Sequence, residues 1–161
     1  MKKIRLIGTL VAFLFASGTV FGQNQKELVI KVAKAIESGP ITKDLAGQYS
    51  DALKWVIETD EVSIIACGGI FSLFSDKKNK ASSDMTAGYT IGMAAFKLEN
   101  PDKASDEDAA QLAGLNTALK AYEFYVKEKP KNKNDKVETL IAKRDSGQLI
   151  ETVKAANCGK K

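Results

Sequence analysis

The chain has 161 residues, of which 44% are hydrophobic and 27% are charged, and it contains no histidine. This length is typical of a single globular domain with its own hydrophobic core. The absence of histidine excludes a Ser-His-Asp hydrolase and removes the commonest metal ligand and general base, so the sequence predicts no metal site and no cofactor.

The first 22 residues have the pattern of a secretory signal peptide. Cations at positions 2, 3 and 5 precede an apolar run from Leu6 to Phe15, and small or neutral residues continue to Gly22. Cleavage after Gly22 leaves residues 23–161 as one exported domain, periplasmic or secreted. An uncleaved membrane anchor is the alternative, but the apolar run is short for a helix that spans a bilayer.

The charge balance of the chain depends on this leader. The formal net charge is +4, but three of the 24 basic residues belong to the leader, which leaves 21 basic residues against 20 acidic ones. A nearly neutral domain has no general attraction to polyanions. We therefore expect no nucleic-acid binding and no stable membrane insertion after cleavage.

The two cysteines, Cys67 and Cys158, both lie in the predicted mature domain. An even number of cysteines in an exported protein favours a disulfide, here a single one that joins the centre of the chain to its tail. Two free thiols and a reactive cysteine are the alternatives. A reactive cysteine is disfavoured because there is no histidine to activate it and no second cysteine at redox-motif spacing.

The spacing of apolar residues predicts helices along most of the chain. The first covers residues 25–38 and ends at Gly39 and Pro40, and the second covers 42–59. A third, over 61–74, is apolar on most sides and is predicted to be a central buried helix. A strand is the alternative there, because the run contains β-branched residues and glycines.

The second half of the chain predicts four more helices. One covers residues 83–98, and the longest begins at Ser105, where Asp108 completes a capping-box pattern, and continues to Pro130. Two short helices follow, from Asp135 and from Leu149. The predicted fold class is therefore all-α, a compact bundle of about six or seven antiparallel helices with one long-range disulfide.

Five lysines form the one local basic patch and are candidate binding residues. They are Lys127, Lys129, Lys131, Lys133 and Lys136. A solvated face is the simplest interpretation, and contact with an acidic protein, a polyanion or lipid head groups is the alternative. No aromatic residues alternate with these lysines, which further disfavours nucleic acid as the partner.

Gly88 and Gly92 lie one turn apart on the fourth predicted helix. Such glycines permit a close approach of another helix, either within the domain, with residues 67–69 as the matching surface, or in a partner protein. Gly68 and Gly69 are no phosphate loop, because the lysine and hydroxyl residue that such a loop needs are missing.

Carboxylates are the remaining candidates for catalysis. Asp51 and Glu58 lie seven residues apart on the second predicted helix, near Tyr49 and Trp55, which could form a glycosidase-like acid and a sugar platform. The alternative is a solvated helix face on which Lys54 and Glu58 form an i,i+4 pair.

Two segments share the letters Ala-Leu-Lys at an interval of 66 residues, in "YSDALKWVIETD" and "LNTALKAYEFYV". This interval is close to twice the tetratricopeptide period, so a helical repeat scaffold is a further interpretation. The middle copy and several signature positions of such an array are missing.

The sequence thus favours a small exported, non-enzymatic helical protein that binds another protein, as an immunity protein or inhibitor does. A periplasmic chaperone or stress protein, a repeat scaffold and a carboxylate-based hydrolase are the alternatives. The layout of a leader and a small helical domain with one cysteine pair resembles that of periplasmic acid-stress chaperones and of small immunity proteins. No motif of either family matches residue by residue, so no site is assigned from them.

Overall fold

The computed structural model describes residues 17–40 and 42–158. Within these ranges the chain is all-α, with seven helices and no strand, which confirms the predicted fold class. The helices are α1 (Ser17–Ser38), α2 (Lys43–Glu58), α3 (Gly68–Phe71), α4 (Ser82–Glu99), α5 (Glu107–Glu128), α6 (Asp135–Asp145) and α7 (Leu149–Ala156). Single 3₁₀ turns, Pro101–Lys103 and Pro130–Asn132, follow α4 and α5.

Helices α4 and α5 form the central pair and make the most extensive contact of the fold. Helices α1 and α2 pack on one side of this pair, where Val29, Ile36 and Ile91 belong to one buried cluster. Helices α3, α6 and α7 pack on the other side around Tyr89 and Tyr122, in a second cluster. Burial of each large apolar side chain contributes roughly 1.5–3 kcal/mol, so both sides stabilise the central pair.

The prediction of a buried helix over residues 61–74 is wrong for most of its length. Only Gly68–Phe71 are helical, and residues 63–67 run without a helical turn or bend. The backbone of this stretch is held by side chains instead: the carbonyls of Ser63 and Ile65 accept hydrogen bonds from side chains of α4 and α5. The strand alternative is also incorrect, since no other strand pairs with it in the described ranges.

Polar residues at the N-termini fix where the helices begin. The Thr42 hydroxyl accepts a hydrogen bond from the Leu45 N–H at 3.3 Å at the start of α2. At the start of α5 the cap is Asp106, whose carboxylate accepts from the Ala109 N–H at 3.0 Å. The predicted capping box at Ser105 is therefore displaced by one residue, because Asp106 satisfies the free N–H group.

The predicted disulfide is present between Cys67, directly before α3, and Cys158, after α7. Their Cα atoms lie 5.4 Å apart and the two residues are 91 positions apart in sequence. Gly69 packs closely beside this bond, because a Cβ on it would lie 3.1 Å from Cβ of Ala156 in α7. The segment around Cys67 is thus held against the last helix.

The predicted signal peptide lies partly outside the described residues, which begin at Ser17. Residues 17–22 belong to α1, which continues through the predicted cleavage position after Gly22. Removal of the leader stays a prediction. In the ranges that the structure describes, every helix is too short or too polar to cross a membrane.

Candidate functional site

The non-helical stretch from Val62 to Cys67, here called the clamped segment, has two different faces. Val62 and Cys67 are buried and Ile64 is half-buried against both hydrophobic clusters. The side chains of Ser63 and Ile65 are exposed. Alternation over residues 62–65 is typical of extended chain with one face on a core, and it ends at Ala66, which is exposed like Ile65.

Lys97 of α4 holds the first half of the clamped segment. Lys97 is only 7% exposed. Its ammonium donates to the Ser63 carbonyl at 2.9 Å and to Oε1 of Glu107 at 2.5 Å. An unpaired ammonium would be costly to bury, so both acceptors are needed to keep the lysine in place. The lysine therefore ties the segment to the ends of α4 and α5 at once.

Gln111 of α5 holds the second half. Its amide nitrogen donates to the Ile65 carbonyl at 2.8 Å, and its amide oxygen accepts from the Tyr89 hydroxyl. Burial raises the pKa of Tyr89 to about 12, although the backbone N–H of Cys67 at the phenol oxygen acts in the opposite direction. The phenol is therefore a neutral donor at physiological pH, as the bond to Gln111 requires.

Three consecutive odd-numbered residues of the clamped segment thus direct a backbone group at the core. Ser63 and Ile65 present carbonyls, and Cys67 presents its N–H and its disulfide. Each neutral hydrogen bond contributes roughly 0.5–1.5 kcal/mol, and a fully satisfied buried network also fixes one conformation. The segment is consequently held rigid although it belongs to no helix or sheet.

Of the large hydrophobic side chains that the described structure exposes, one lies in this segment and two lie on the helices before and after it in sequence. They are Ile57 with 70% of its surface exposed, Ile65 with 42% and Phe71 with 36%. The ring of Phe71 stands edge-on to the buried ring of Phe74, with 5.5 Å between centroids, which fixes its position. An exposed apolar residue in a fixed position is a candidate contact for a partner.

A cleft of about 470 Å³ lies at the Val62 end of the segment. It contains two lysine–glutamate pairs, Lys26 with Glu61 at 2.5 Å and Lys97 with Glu107, also at 2.5 Å. The second carboxylate oxygen of Glu107 is buried and accepts no hydrogen bond from the described residues. The cleft is thus charge-balanced.

The five lysines of the predicted basic patch, Lys127, Lys129, Lys131, Lys133 and Lys136, are all exposed. Three of them interact within the chain. Nζ of Lys129 lies 4.7 Å from the ring centroid of Tyr125, Lys133 lies 3.7 Å from Glu138, and Lys136 lies 3.3 Å from Asp76. The patch is therefore less free for an acidic partner than the sequence indicates.

Gly88 and Gly92 are buried in the contact between α4 and α5. A Cβ on Gly92 would lie 2.8 Å from Cβ of Thr117 and 3.0 Å from Cα of Gly114, and one on Gly88 would lie 3.4 Å from Cα of Ala118. The matching surface is thus on α5 and not at residues 67–69. Because α5 covers both glycines, we leave them out of the candidate binding surface.

The candidate catalytic pair on α2 differs in exposure from its aromatic neighbours. Asp51 and Glu58 are exposed, whereas Trp55 packs against the buried cluster of α1, α2 and α4. Neither carboxylate lines the cleft beside the clamped segment. The expected ion pair between Lys54 and Glu58 is also absent from the described part of the chain.

The two segments that suggested a repeat occupy different positions in the fold. Ala118 and Leu119 of α5 are completely buried in the centre of the protein. Of their counterparts on α2, Ala52 is also completely buried and Leu53 is half-buried, and α2 packs at the side of the bundle. Stacked repeats place corresponding residues in equivalent environments, and the two alanines meet this condition while the two helices differ in their position in the bundle, so the repeat scaffold stays a hypothesis.

Within residues 17–40 and 42–158, no three cysteine or acidic side chains are grouped closely enough to hold a metal ion. The sequence analysis missed Lys97, Gln111 and Tyr89, the residues that hold the clamped segment. Comparison with protein-family models, curated proteins and solved structures found no significant match for this chain.

Proposed function

We propose that this chain is a small exported, non-enzymatic protein that binds another protein, as an immunity protein or inhibitor does. The observation that supports this most is the exposure of Ile65 in the clamped segment and of Phe71 in α3, the helix that directly follows it. We place the binding surface there and not on the basic patch.

Rigidity of the backbone makes this surface suitable for tight binding. Association is opposed by the ordering of loops and side chains, roughly 0.5–1.5 kcal/mol for each immobilised flexible side chain. The disulfide and the hydrogen bonds from Lys97 and Gln111 order this segment before a partner arrives. An aromatic residue on a fixed backbone, here Phe71, is a frequent anchor in interfaces.

Site-specific photo-crosslinking in the source cells tests this proposal. A photoreactive amino acid replaces Ile65 in one variant and Lys127, exposed on α5, in the control. We expect one discrete crosslinked protein with the Ile65 variant, weak or no product with the control, and saturable binding once that protein is purified.

Two other outcomes would contradict the proposal. Equal crosslinking at Ile65 and Lys127 would mean that the apolar surface has no special role. Many crosslinked proteins, together with suppressed aggregation of two unrelated unfolded clients, would favour the chaperone alternative instead.

A further inference from the structure

The clamped segment has one backbone edge directed at the core and one directed away from it. In an extended chain the N–H and C=O groups of alternate residues point to opposite sides. The carbonyls of Ser63 and Ile65 both accept hydrogen bonds from side chains of α4 and α5, which places them on the core side. In an extended chain, the groups of Ile64 and Ala66 lie on the side away from these two carbonyls.

Ile64 and Ala66 leave their backbone groups without partners. Among the hydrogen bonds of the described chain, neither residue donates its N–H or accepts at its C=O. Ala66 is exposed and Ile64 is half-exposed, so this edge is open to solvent. It presents two donors and two acceptors in the arrangement of the edge strand of a sheet.

We infer that an extended segment of the partner protein pairs with the free edge at Ile64 and Ala66 and forms a two-stranded ladder with it. This inference rests on the proposed function and names the mode of recognition. Main-chain hydrogen bonds of this kind supply affinity without selecting a sequence. Selectivity then comes from side chains beside the edge.

The surroundings of the edge define the chemistry of that partner segment. Ile65 and Phe71 are exposed beside it and favour apolar side chains at alternate positions of the partner strand. Proline is excluded where the partner must donate an N–H.

A backbone substitution separates this mode from ordinary apolar contact. Ala66→Pro removes one outward N–H but suits an exposed extended position, since proline is tolerated at strand edges. Ala66→Ser is the matched control because it keeps the N–H. The probe is a displayed library of random linear peptides, selected on the full disulfide-intact chain.

We expect selected peptides with alternating apolar residues that bind Ala66→Ser normally and Ala66→Pro about tenfold more weakly or worse, which corresponds to 1.4 kcal/mol. A second measurement needs no variant. Amide hydrogen exchange of Ile64 and Ala66 in the unmodified chain should slow when a selected peptide binds, whereas the amides of exposed Lys127 and Glu128 should not change.

The remaining outcomes overturn the inference in distinguishable ways. Selected peptides that lose affinity with Phe71→Ser but not with Ala66→Pro, and leave the two amides unprotected, would show apolar binding without backbone pairing. The proposed function would survive that result. A library that yields no binder would overturn the inference that this edge recognises an extended chain. The crosslinking at Ile65 tests the proposed function separately, because it also detects a folded partner. A dimer that Ala66→Pro disrupts would assign the edge to a second copy.

Discussion

The disulfide between Cys67 and Cys158 should supply a large part of the stability of this fold. It closes a loop over a sequence separation of 91. The chain-entropy treatment of such a loop gives about 4.6 kcal/mol at 25 °C, an upper figure for the loss on removal. For a chain of this size that loss lowers the melting temperature by roughly 10–20 °C.

Two versions of the perturbation can be compared. Dithiothreitol opens the bond without a substitution, and the variant Cys67→Ala/Cys158→Ser opens it without a reductant. Alanine is chosen at position 67 because that residue is buried, while Cys158 is partly exposed and tolerates serine. Guanidinium denaturation followed by circular dichroism should show the same loss for both, and dithiothreitol should not affect the variant.

A loss below about 1 kcal/mol in both versions would refute this reasoning, because the chain-entropy term for so long a loop is several times larger. Such a result would mean that the reduced chain keeps residues 67 and 158 together by packing alone. Helix α7 does contact α3 and α5 in the oxidised fold. The crosslinking efficiency at Ile65 in dithiothreitol would then show whether the clamped segment also keeps its conformation.

Three further predictions concern the interior. Gly92→Ala should lower the free energy of unfolding by about 1–3 kcal/mol, because the added methyl group would overlap α5. Its control is Gly47→Ala on α2, where the methyl group enters open space and should raise that free energy by about 0.5–1 kcal/mol. Denaturant titrations measure both changes. Lys97→Met leaves the Glu107 carboxylate buried without its cation and should cost about 3–5 kcal/mol, and adding Glu107→Gln should recover part of this in a double-mutant cycle. Burial opposes ionisation of Glu123, but hydrogen bonds from an arginine and a lysine outweigh it and lower the pKa of its carboxyl. Its stabilisation is thus complete above the unfolded-state pKa of about 4.3 and disappears as the pH falls through the folded-state value, so Glu123→Gln should flatten the acid side of a stability profile measured by thermal melts.

Most of the helices could be predicted from sequence because their apolar periodicity and their stop signals agree. Helix α1 ends at Ser38, before the predicted stop at Gly39 and Pro40, and α4 ends at Glu99, before Asn100. Local chemistry determines such boundaries, so no tertiary information is needed to locate them. The disulfide could also be predicted, since two cysteines in one domain permit a single intramolecular pairing.

The clamped segment could not be predicted because its hydrogen-bond partners are distant in sequence. Lys97 lies 34 positions after Ser63, and Gln111 lies 46 positions after Ile65. Apolar periodicity reports which face of a segment is buried and does not report what satisfies its backbone. An apolar run with two glycines therefore has the same pattern whether its carbonyls bond to its own N–H groups or to distant side chains.

One sequence signal could still have indicated the contact between Lys97 and the clamped segment. Lys97 follows a run of small and apolar residues on α4, and a lysine on a buried helix face needs an acceptor nearby. Buried backbone carbonyls outside helices and sheets have the complementary need for donors. In a mostly helical chain, a lysine on a buried helix face and a non-helical apolar run can therefore be expected to contact each other, because the lysine needs an acceptor and the run needs a donor. The segment that carries the proposed binding surface is held in place by this pairing, so its position depends on the core of the bundle.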